Sequence, residues 1–250
     1  ARNQMALVPE QAIDILRGKM FKPTEVAGRK IAIFSHPGLG KTVLGCKLGQ
    51  KNILVTDEDG YVSLESHPEL RERTTCIPWE SHQETRVLIR AVANGQFDFD
   101  NIILDTMSGH AELEVANILA SGVTTKAGEK RGEVAGWDEY RIHEKRMILL
   151  MKDVASIKNA SVTMLFHVRE KDKQTPGDAI RPEMHPAGFR VVNKYASVIA
   201  WMTMNKERQR LLQVMPTGNG VSAKSRYTFP KDIVTDEEFV AHIEKWKANA

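Results

Sequence analysis

The stretch SHPGLGKT, residues 35–42, decides the fold of this chain. The apolar run KIAIFS (30–35) leads into it, and TVLGCKLGQ (42–50), which has the pattern of a helix, follows it. A phosphate-binding loop needs a strand that delivers the chain, a turn with little side-chain bulk, and a helix that begins at once. Backbone N–H groups and the positive helix end then face the anion. Residues 35–42 meet all three requirements.

One position departs from the usual pattern G-x-x-x-x-G-K-[ST], because Ser35 stands where the leading glycine is expected. That position closes the turn out of the strand and does not touch phosphate, and serine is small enough for it. Gly38 and Gly40 allow the backbone to approach the phosphates closely. Lys41 is expected to reach the β- and γ-phosphates, and the Thr42 hydroxyl to ligate Mg²⁺.

These features predict a site for ATP and Mg²⁺. The residues expected to bind the nucleotide run without a break through the loop and into the helix: His36, Pro37, Gly38, Leu39, Gly40, Lys41, Thr42 and Val43.

A nucleotide site also needs a carboxylate that holds the Mg²⁺-bound water. Asp105 ends the apolar stretch NIILD (101–105) and is the candidate, although it could instead cap the helix that follows. Hydrolysis further requires a base, and TDEDG (56–60) offers Asp59 and Glu58 for that role, with Asp57 supporting the metal. The alternative for these acids is a solvated turn.

His167 ends another predicted strand, SVTMLFHV (161–168). The ends of parallel strands converge on one edge of a sheet, so His167 is a candidate to hydrogen-bond the terminal phosphate. An ordinary, structurally satisfied histidine is the alternative.

Composition sets broad limits on the chain. It has 250 residues, 42% of them hydrophobic, and a formal net charge of +3, which by itself is too small to argue for nucleic acid. Cys46 and Cys76 are expected to be buried, reduced thiols, so a cytoplasmic location is predicted. No apolar stretch approaches the roughly 18 residues needed to cross a membrane, so no membrane partner is expected.

The order of predicted elements indicates an α/β fold. Strands alternate with helices through residue 168, and the strands 196–204, 208–216 and 221–229 follow, before a last helix at 235–249. This order predicts a mostly parallel central sheet, flanked by helices, that gains extra strands late in the chain. Residues 169–194 are expected to be one long irregular stretch.

The sequence also suggests a division of the chain. Residues 1–27 are expected to form an N-terminal segment, possibly a subunit contact, and residues 28–250 the core.

In order and spacing, SHPGLGKT, TDEDG, NIILDT, LFH and AKSR (223–226) resemble the RecA-like P-loop ATPases. The likeness covers about residues 28–229 and is greatest to phage-encoded AAA-type ATPases that act as single-strand annealing recombinases. It implies a RecA-like P-loop core. The family's catalytic glutamate after the second strand is matched here by Asp59, which is one methylene shorter. Either Asp59 works with a shifted water, Glu58 substitutes, or hydrolysis is slow.

The resemblance also implies roles for residues of two predicted strands later in the chain, 161–168 and 221–229. His167 matches the family's γ-phosphate sensor. Lys224 and Arg226 match a K-x-R pair that reaches the nucleotide of the neighbouring subunit and stabilises transition-state charge. The alternative for this pair is the solvated face of an alternating strand.

The family binds DNA through two loops, one before and one after its fifth strand, which SVTMLFHV (161–168) matches here. The matching stretches here are 124–136 and 169–194, and both also contain acids, so ordinary solvated loops are the alternative. Cations would neutralise phosphates and an aromatic ring would stack on a base. The residues implied in DNA binding are Lys126, Lys130, Arg131, Arg169, Lys171, Lys173, Arg181, His185, Phe189 and Arg190.

Three functions therefore stay open. The first is an ATPase that binds single-stranded DNA and promotes annealing or strand pairing. It would form a head-to-tail filament or ring, possibly with a single-strand-binding protein, in the cytoplasm of a host cell if phage-encoded. The second is a small-molecule P-loop kinase with residues 169–194 as its lid. The third is a helicase-type motor or loader.

Overall fold

The computed structural model of the chain describes residues 28–56, 59–122, 136–169, 179–218 and 220–248. Its strands form one sheet in the order β10-β8-β7-β1-β5-β4-β2-β3, with β6 paired to β5 and β9 paired to β7. The strands are β1 (Lys30–Ser35), β2 (Asn52–Thr56), β3 (Thr74–Pro78), β4 (Asn101–Asp105), β5 (Ser161–Arg169), β6 (Arg181–Pro182), β7 (Val198–Met204), β8 (Arg210–Gln213), β9 (Lys224–Ser225) and β10 (Ile233–Thr235).

The six strands β1 to β5 and β7 pair in parallel, and β6, β8, β9 and β10 are antiparallel additions. Every residue of β1, β2 and β4 is buried, because helices cover both faces of the sheet. The helices are α1 (Lys41–Lys47), α2 (Pro68–Glu72), α3 (His82–Ala93), α4 (Met107–Ala120), α5 (Trp137–Ser156), α6 (Pro186–Tyr195) and α7 (Asp236–Ala248), with a 3₁₀ turn at Asp59–Leu64.

Alternate residues of β1 point to the two faces, as the strand period requires. Ile31 and Ile33 pack with Leu44 of α1 and Phe239 of α7 on one face. Phe34 and its neighbours pack with residues of α3 to α6 on the other face. The sheet therefore separates two hydrophobic cores.

The predicted α/β fold class, with a mostly parallel central sheet flanked by helices and extra strands late in the chain, is confirmed. Side-chain caps fix the starts of two of the helices. The Ser81 side chain accepts a hydrogen bond from the backbone of Glu84 at the start of α3. Thr235 and Glu238 bond each other's backbone N–H groups at the start of α7.

Three local predictions are wrong. Residues 169–194 are not one irregular stretch, because β6 and α6 lie within them. The helix α6 begins at Pro186, and the His185 ring caps it by accepting the N–H of Ala187. Val191 and Val192 are the buried residues on the inner face of this helix. The strand expected at 221–229 shrinks to Lys224–Ser225.

The third wrong prediction concerns the thiols. Cys46 is buried, and its burial raises the pKa of its thiol to about 12. Cys76 is exposed, because the edge strand β3 presents it to solvent. Among the described residues, no helix combines the length and apolar character that a membrane crossing would require.

Candidate active site

The carboxyl ends of four parallel strands meet at one edge of the sheet. Ser35 of β1 lies beside His167 of β5, and Thr56 of β2 lies beside Asp105 of β4. This edge is where parallel α/β sheets bind ligands.

The loop after β1 has the backbone that a phosphate loop requires. Gly38 and Gly40 have φ angles of 77° and 85°, in the left-handed region that glycine tolerates best. The helix α1 begins directly after Gly40 and has no side-chain cap, so its first N–H groups are left for an anion. Ser35 is fully buried, and its hydroxyl donates to the His36 carbonyl at 2.9 Å. Serine therefore fits the closed turn in place of glycine.

Lys41 lies inside the curve of this loop. Its ammonium group donates to the carbonyls of Ser35 and His36, each at 3.3 Å, and the residue is 6% exposed. Both acceptors are neutral carbonyls of the loop itself, so these contacts hold the positive charge of Lys41 inside the curve that would surround the phosphates.

A short hydrogen bond joins the loop to β4. The Thr42 hydroxyl donates to Oδ2 of Asp105 at 2.6 Å, and Asp105 is 4% exposed. The helix-cap alternative for Asp105 fails, because Thr106 caps α4 by accepting from the N–H of Gly109. Gly60 closes over the same carboxylate, since a β-carbon at position 60 would lie 2.9 Å from Oδ2.

These groups line a cleft of about 250 Å³. Asp59 and His167 line it too, so the structure brings together most of the residues expected at the nucleotide site. The lining residues are Pro37, Gly38, Gly40, Lys41, Thr42, Asp59, Gly60, Ser63, Asp105, Thr106 and His167.

Three other predicted nucleotide residues do not line this cleft. His36 and Leu39 belong to the loop, and Val43 is a residue of α1 whose side chain is buried in the core. Asp57 and Glu58 lie outside the described residues, so Asp59 is the candidate base that can be located.

The backbone of His167 is tied to α4. Its N–H donates to the Ser108 hydroxyl oxygen at 3.0 Å, and the Ser108 hydroxyl donates to the Glu183 carbonyl at 2.8 Å. The Glu183 N–H returns to the His167 carbonyl at 2.8 Å. This ring of hydrogen bonds connects the cleft to Glu183, which lies within the second predicted DNA stretch, residues 169–194.

The residues present fit a magnesium nucleotide. A hydroxyl and a carboxylate, the oxygen donors that Mg²⁺ prefers, already share one hydrogen bond at the mouth of an uncapped phosphate loop. Thr42 would hold the metal directly, Asp105 through its water, and Lys41 would meet the phosphates.

Lys224 and Arg226 do not line this cleft. They lie on and beside β9, which pairs with the start of β7, toward the opposite end of the sheet. Lys224 donates to the Asn193 carbonyl and Arg226 to the Lys194 carbonyl, at the end of α6. Partial burial and the neighbouring Arg226 lower the pKa of Lys224. Their position does not allow a role in the chain's own cleft. The role toward a neighbouring subunit's nucleotide stays a prediction, and a solvated strand face stays its alternative.

The DNA-binding predictions are located only in part. Arg169 and Arg181 face each other across the β5–β6 pair. Phe189 was expected to offer a free aromatic ring for stacking on a base, and this expectation is wrong. Its ring lies on α6 and packs against the core. Arg190 is exposed on the same helix and pairs with Glu144 at 3.2 Å. The loop residues Lys126, Lys130, Arg131, Lys171 and Lys173 lie outside the described residues.

Sequence reasoning missed Arg210. Its guanidinium lies against the phosphate loop, where a β-carbon on Gly40 would be 2.6 Å from Nη1. Asp236, which is 4% exposed, holds Nε of Arg210 at 3.1 Å and Nζ of Lys47 at 3.7 Å. No spacing rule links a strand residue near position 210 to a loop near position 40, so only the folded chain reveals this contact.

The chain has similarities to a protein family and to solved structures. A family model described as an AAA domain matches residues 27–227. No curated protein matches the chain significantly. Among solved structures, the crystal structure of the RadB recombinase is similar with a TM-score of 0.47 and 18% identity, over 90% of this chain and 92% of that chain. Because the family model covers well over half of the residues, the chain belongs to the AAA domain family of P-loop ATPases.

Proposed function

We propose that this protein hydrolyses ATP as part of DNA recombination: it binds single-stranded DNA and promotes annealing or strand pairing as a head-to-tail oligomer. The observation that carries the ATPase part is the 2.6 Å contact between Thr42 and Asp105 at the phosphate loop. Mg²⁺ at this pair would neutralise the charge that develops on the phosphates.

The chain's own groups divide the remaining work. Asp59, which lines the cleft, accepts the proton of the attacking water. Lys41 stabilises the charge of the departing phosphates, and His167 donates a hydrogen bond to the terminal phosphate. The Ser108 ring of hydrogen bonds then transmits the presence of that phosphate to residues 181–185.

Two features support the DNA and assembly parts of the proposal. Arg169 and Arg181 place two guanidinium groups at the base of the second predicted DNA loop. Lys224 and Arg226 lie toward the opposite end of the sheet from the cleft, as a contact in a head-to-tail assembly requires. The phage annealing recombinases are the class whose known activity this arrangement fits best, on the resemblance of motif order.

The kinase alternative is weaker than this proposal. A lid must swing over the nucleotide, but the second half of residues 169–194 is a helix whose inner face packs into the core. The second alternative, a helicase-type motor or loader, is distinguished from the proposal by the experiment below.

The test measures ATP hydrolysis with and without single-stranded DNA, together with particle size. We expect turnover that DNA stimulates, and particles larger than a monomer when ATP and DNA are both present. A monomer whose turnover needs a small-molecule acceptor would favour a kinase and refute the proposal. Strand unwinding driven by ATP would favour the motor instead.

A further inference from the structure

A second cavity, of about 400 Å³, lies between α4, α5 and residues 183–185. We call it the α4–α5 pocket. Its walls are largely apolar, formed by Ala111, Val115 and Leu119 of α4 and by Met184. Its volume is in the range of pockets that bind small organic groups. Nothing in the nucleotide chemistry described above uses it.

One buried polar side chain faces this pocket without a partner. His143 of α5 is 1% exposed, lines the pocket, and has no hydrogen bond to either ring nitrogen within the part of the chain that the structure describes. Burial lowers the pKa of His143 to about 4, so its ring is neutral near pH 7. A neutral imidazole offers one N–H donor and one acceptor nitrogen. The pocket therefore favours a ligand that supplies both an acceptor and a donor.

A flat aromatic wall stands beside His143. Tyr140 and His185 stack with ring centroids 4.3 Å apart and planes 13° apart, and both line the pocket. The His185 ring is fixed because its Nδ1 accepts the N–H of Ala187. A planar aromatic ligand can extend such a stack, and stacking of this kind binds bases of any sequence.

The charges at the rim limit the class of ligand. Arg169 lines the pocket at the end of β5, where the second predicted DNA loop begins, and Glu112 and Glu183 are exposed on the same rim. The two carboxylates disfavour an anionic group inside, while Arg169 attracts a phosphate outside. A neutral ring with a phosphate attached to it satisfies both conditions.

The pocket is joined to the ATP cleft through Ser108. Ser108 is 3% exposed and lines the pocket, and it bonds both the His167 N–H and the Glu183 carbonyl. Residues 183–185, which form one wall, are thereby fixed to the strand end whose histidine lines the cleft. A change at the terminal phosphate would move this wall.

From these contacts we propose that the α4–α5 pocket binds one unstacked nucleobase of a single DNA strand. The base stacks on Tyr140 and His185, hydrogen-bonds His143, and leaves its phosphate at Arg169. The proposal rests on the proposed function for its ligand, single-stranded DNA. A purely apolar occupant would leave His143 without a partner, and so does not fit the site as well.

The test compares two substitutions on exposed alanines of the same helix. Ala116→Trp fills the mouth of the pocket, and Ala120→Trp, one turn further along α4 and outside the pocket lining, is the matched control. Affinities are measured for a thymidine homopolymer and for an abasic strand of equal length, at one fixed salt concentration. We expect the wild type and Ala120→Trp to prefer the homopolymer by roughly tenfold, a typical effect of stacking one base. Ala116→Trp should lose that preference and bind both strands equally.

The outcomes separate the pocket from the proposed function. If DNA binds but Ala116→Trp keeps the preference of the control, the pocket does not hold a base while the proposed function stands. If the wild type binds neither strand, the proposed function fails. Free thymidine then decides the pocket by itself, through the ring resonances of His143. A saturable shift that Ala116→Trp abolishes supports base binding, and an unchanged spectrum overturns it.

Discussion

The hydrogen bond between Thr42 and Asp105 joins the start of α1 to the end of β4, two positions that are 63 residues apart in sequence. The carboxylate is almost fully buried, and it lines the same cleft as Lys41 and the start of α1, which has no side-chain cap. A buried carboxylate that bonds a hydroxyl, beside a loop for phosphates, is the arrangement expected for a metal that arrives with the nucleotide. The charge of Asp105, and not its shape, is then the property that matters.

We therefore predict that Asp105→Asn removes the effect of Mg²⁺ on nucleotide binding. Asparagine keeps an acceptor for Thr42 but lacks the charge that attracts the cation. ATP affinity with a chelator present should match that of the wild type, and added Mg²⁺ should increase it much less. Calorimetric titration with and without Mg²⁺ measures both values. An Asp105→Asn protein with the full magnesium response would exclude Asp105 from the metal site.

Lys41→Ala should weaken ATP binding by roughly 1.5–3 kcal/mol, the range for a hydrogen bond to a charged group. This corresponds to roughly 10- to 150-fold in affinity. Lys51→Ala is the control, because Lys51 is exposed and pairs with Asp98 at the other end of β2. Equal affinities of the two variants in a fluorescent-nucleotide assay would remove the loop assignment.

At the residue scale, the sequence marks a residue of the cleft where a short motif or the end of an apolar strand identifies it, and gives no mark elsewhere; the roles of these residues stay predictions. Gly38, Gly40, Lys41 and Thr42 follow from one short stretch, and Asp105 from the end of an apolar strand. Arg210 could not be predicted, because its place against Gly40 depends on how β8 adds to the sheet.

At the element scale, cations satisfy the carboxyl ends of three helices at one end of the sheet. Lys30 donates to the carbonyl of Ile157 after α5, and Arg29 to the carbonyl of Trp246 in α7. Lys224 and Arg226 do the same for α6. Such contacts are favourable because helix carboxyl ends carry partial negative charge. The K-x-R pair must leave α6 before it can reach a neighbouring nucleotide.

A mixing experiment tests the trans role of this pair. Lys224→Ala protein keeps its own loop but lacks the cation, and Lys41→Ala protein has the cation but lacks the loop. We expect each alone to hydrolyse ATP poorly and the mixture to regain activity, because one interface in the mixture contains both groups. Size measurement of the mixture is the control, since restored assembly without restored hydrolysis would reject the trans role.

After residue 168, sequence composition no longer predicts the secondary structure correctly. The helical pattern Pro186–Tyr195 follows a stretch rich in charges, proline and glycine, which gives the whole region the composition of a loop. Only its packing beside α5 and the sheet makes it a helix, through Val191 and Val192. By contrast, the strands β1, β2 and β4 are continuous apolar runs, so their existence and order were predictable.

At the scale of the whole molecule, the core on the α3–α5 side of the sheet contains a cluster of histidines. His110 stacks on Trp79 with centroids 4.1 Å apart, and its Nε2 lies 3.3 Å from Nδ1 of His82. Burial is the main cause that lowers the pKa of His82 to about 4, of His110 to about 3 and of His143 to about 4. Two ion pairs adjoin the cluster, Arg86 with Asp153 and Arg146 with Glu114.

This cluster predicts that the folded protein loses stability in mild acid. The unfolded histidines take up protons near their ordinary pKa of 6.5, whereas the folded ones resist protonation until about pH 4 or below. The unfolded state therefore binds more protons between these limits, and the free energy of unfolding falls as the pH falls through this window. Each histidine contributes a slope of about 1.4 kcal/mol per pH unit. Above pH 6.5 this contribution is constant.

His110→Phe tests the contribution of one histidine of the cluster, because phenylalanine can keep the stack on Trp79 but cannot take up a proton. Urea unfolding at about pH 6.5 and about pH 5 should show the wild type losing stability over this interval, and the variant losing roughly 2 kcal/mol less. The comparison of slopes holds even if the variant is less stable overall, since each protein is its own reference. A His110→Phe protein that loses as much stability as the wild type would mean that His110 is protonated in the folded core, and that the charge of the neighbouring carboxylates outweighs its burial.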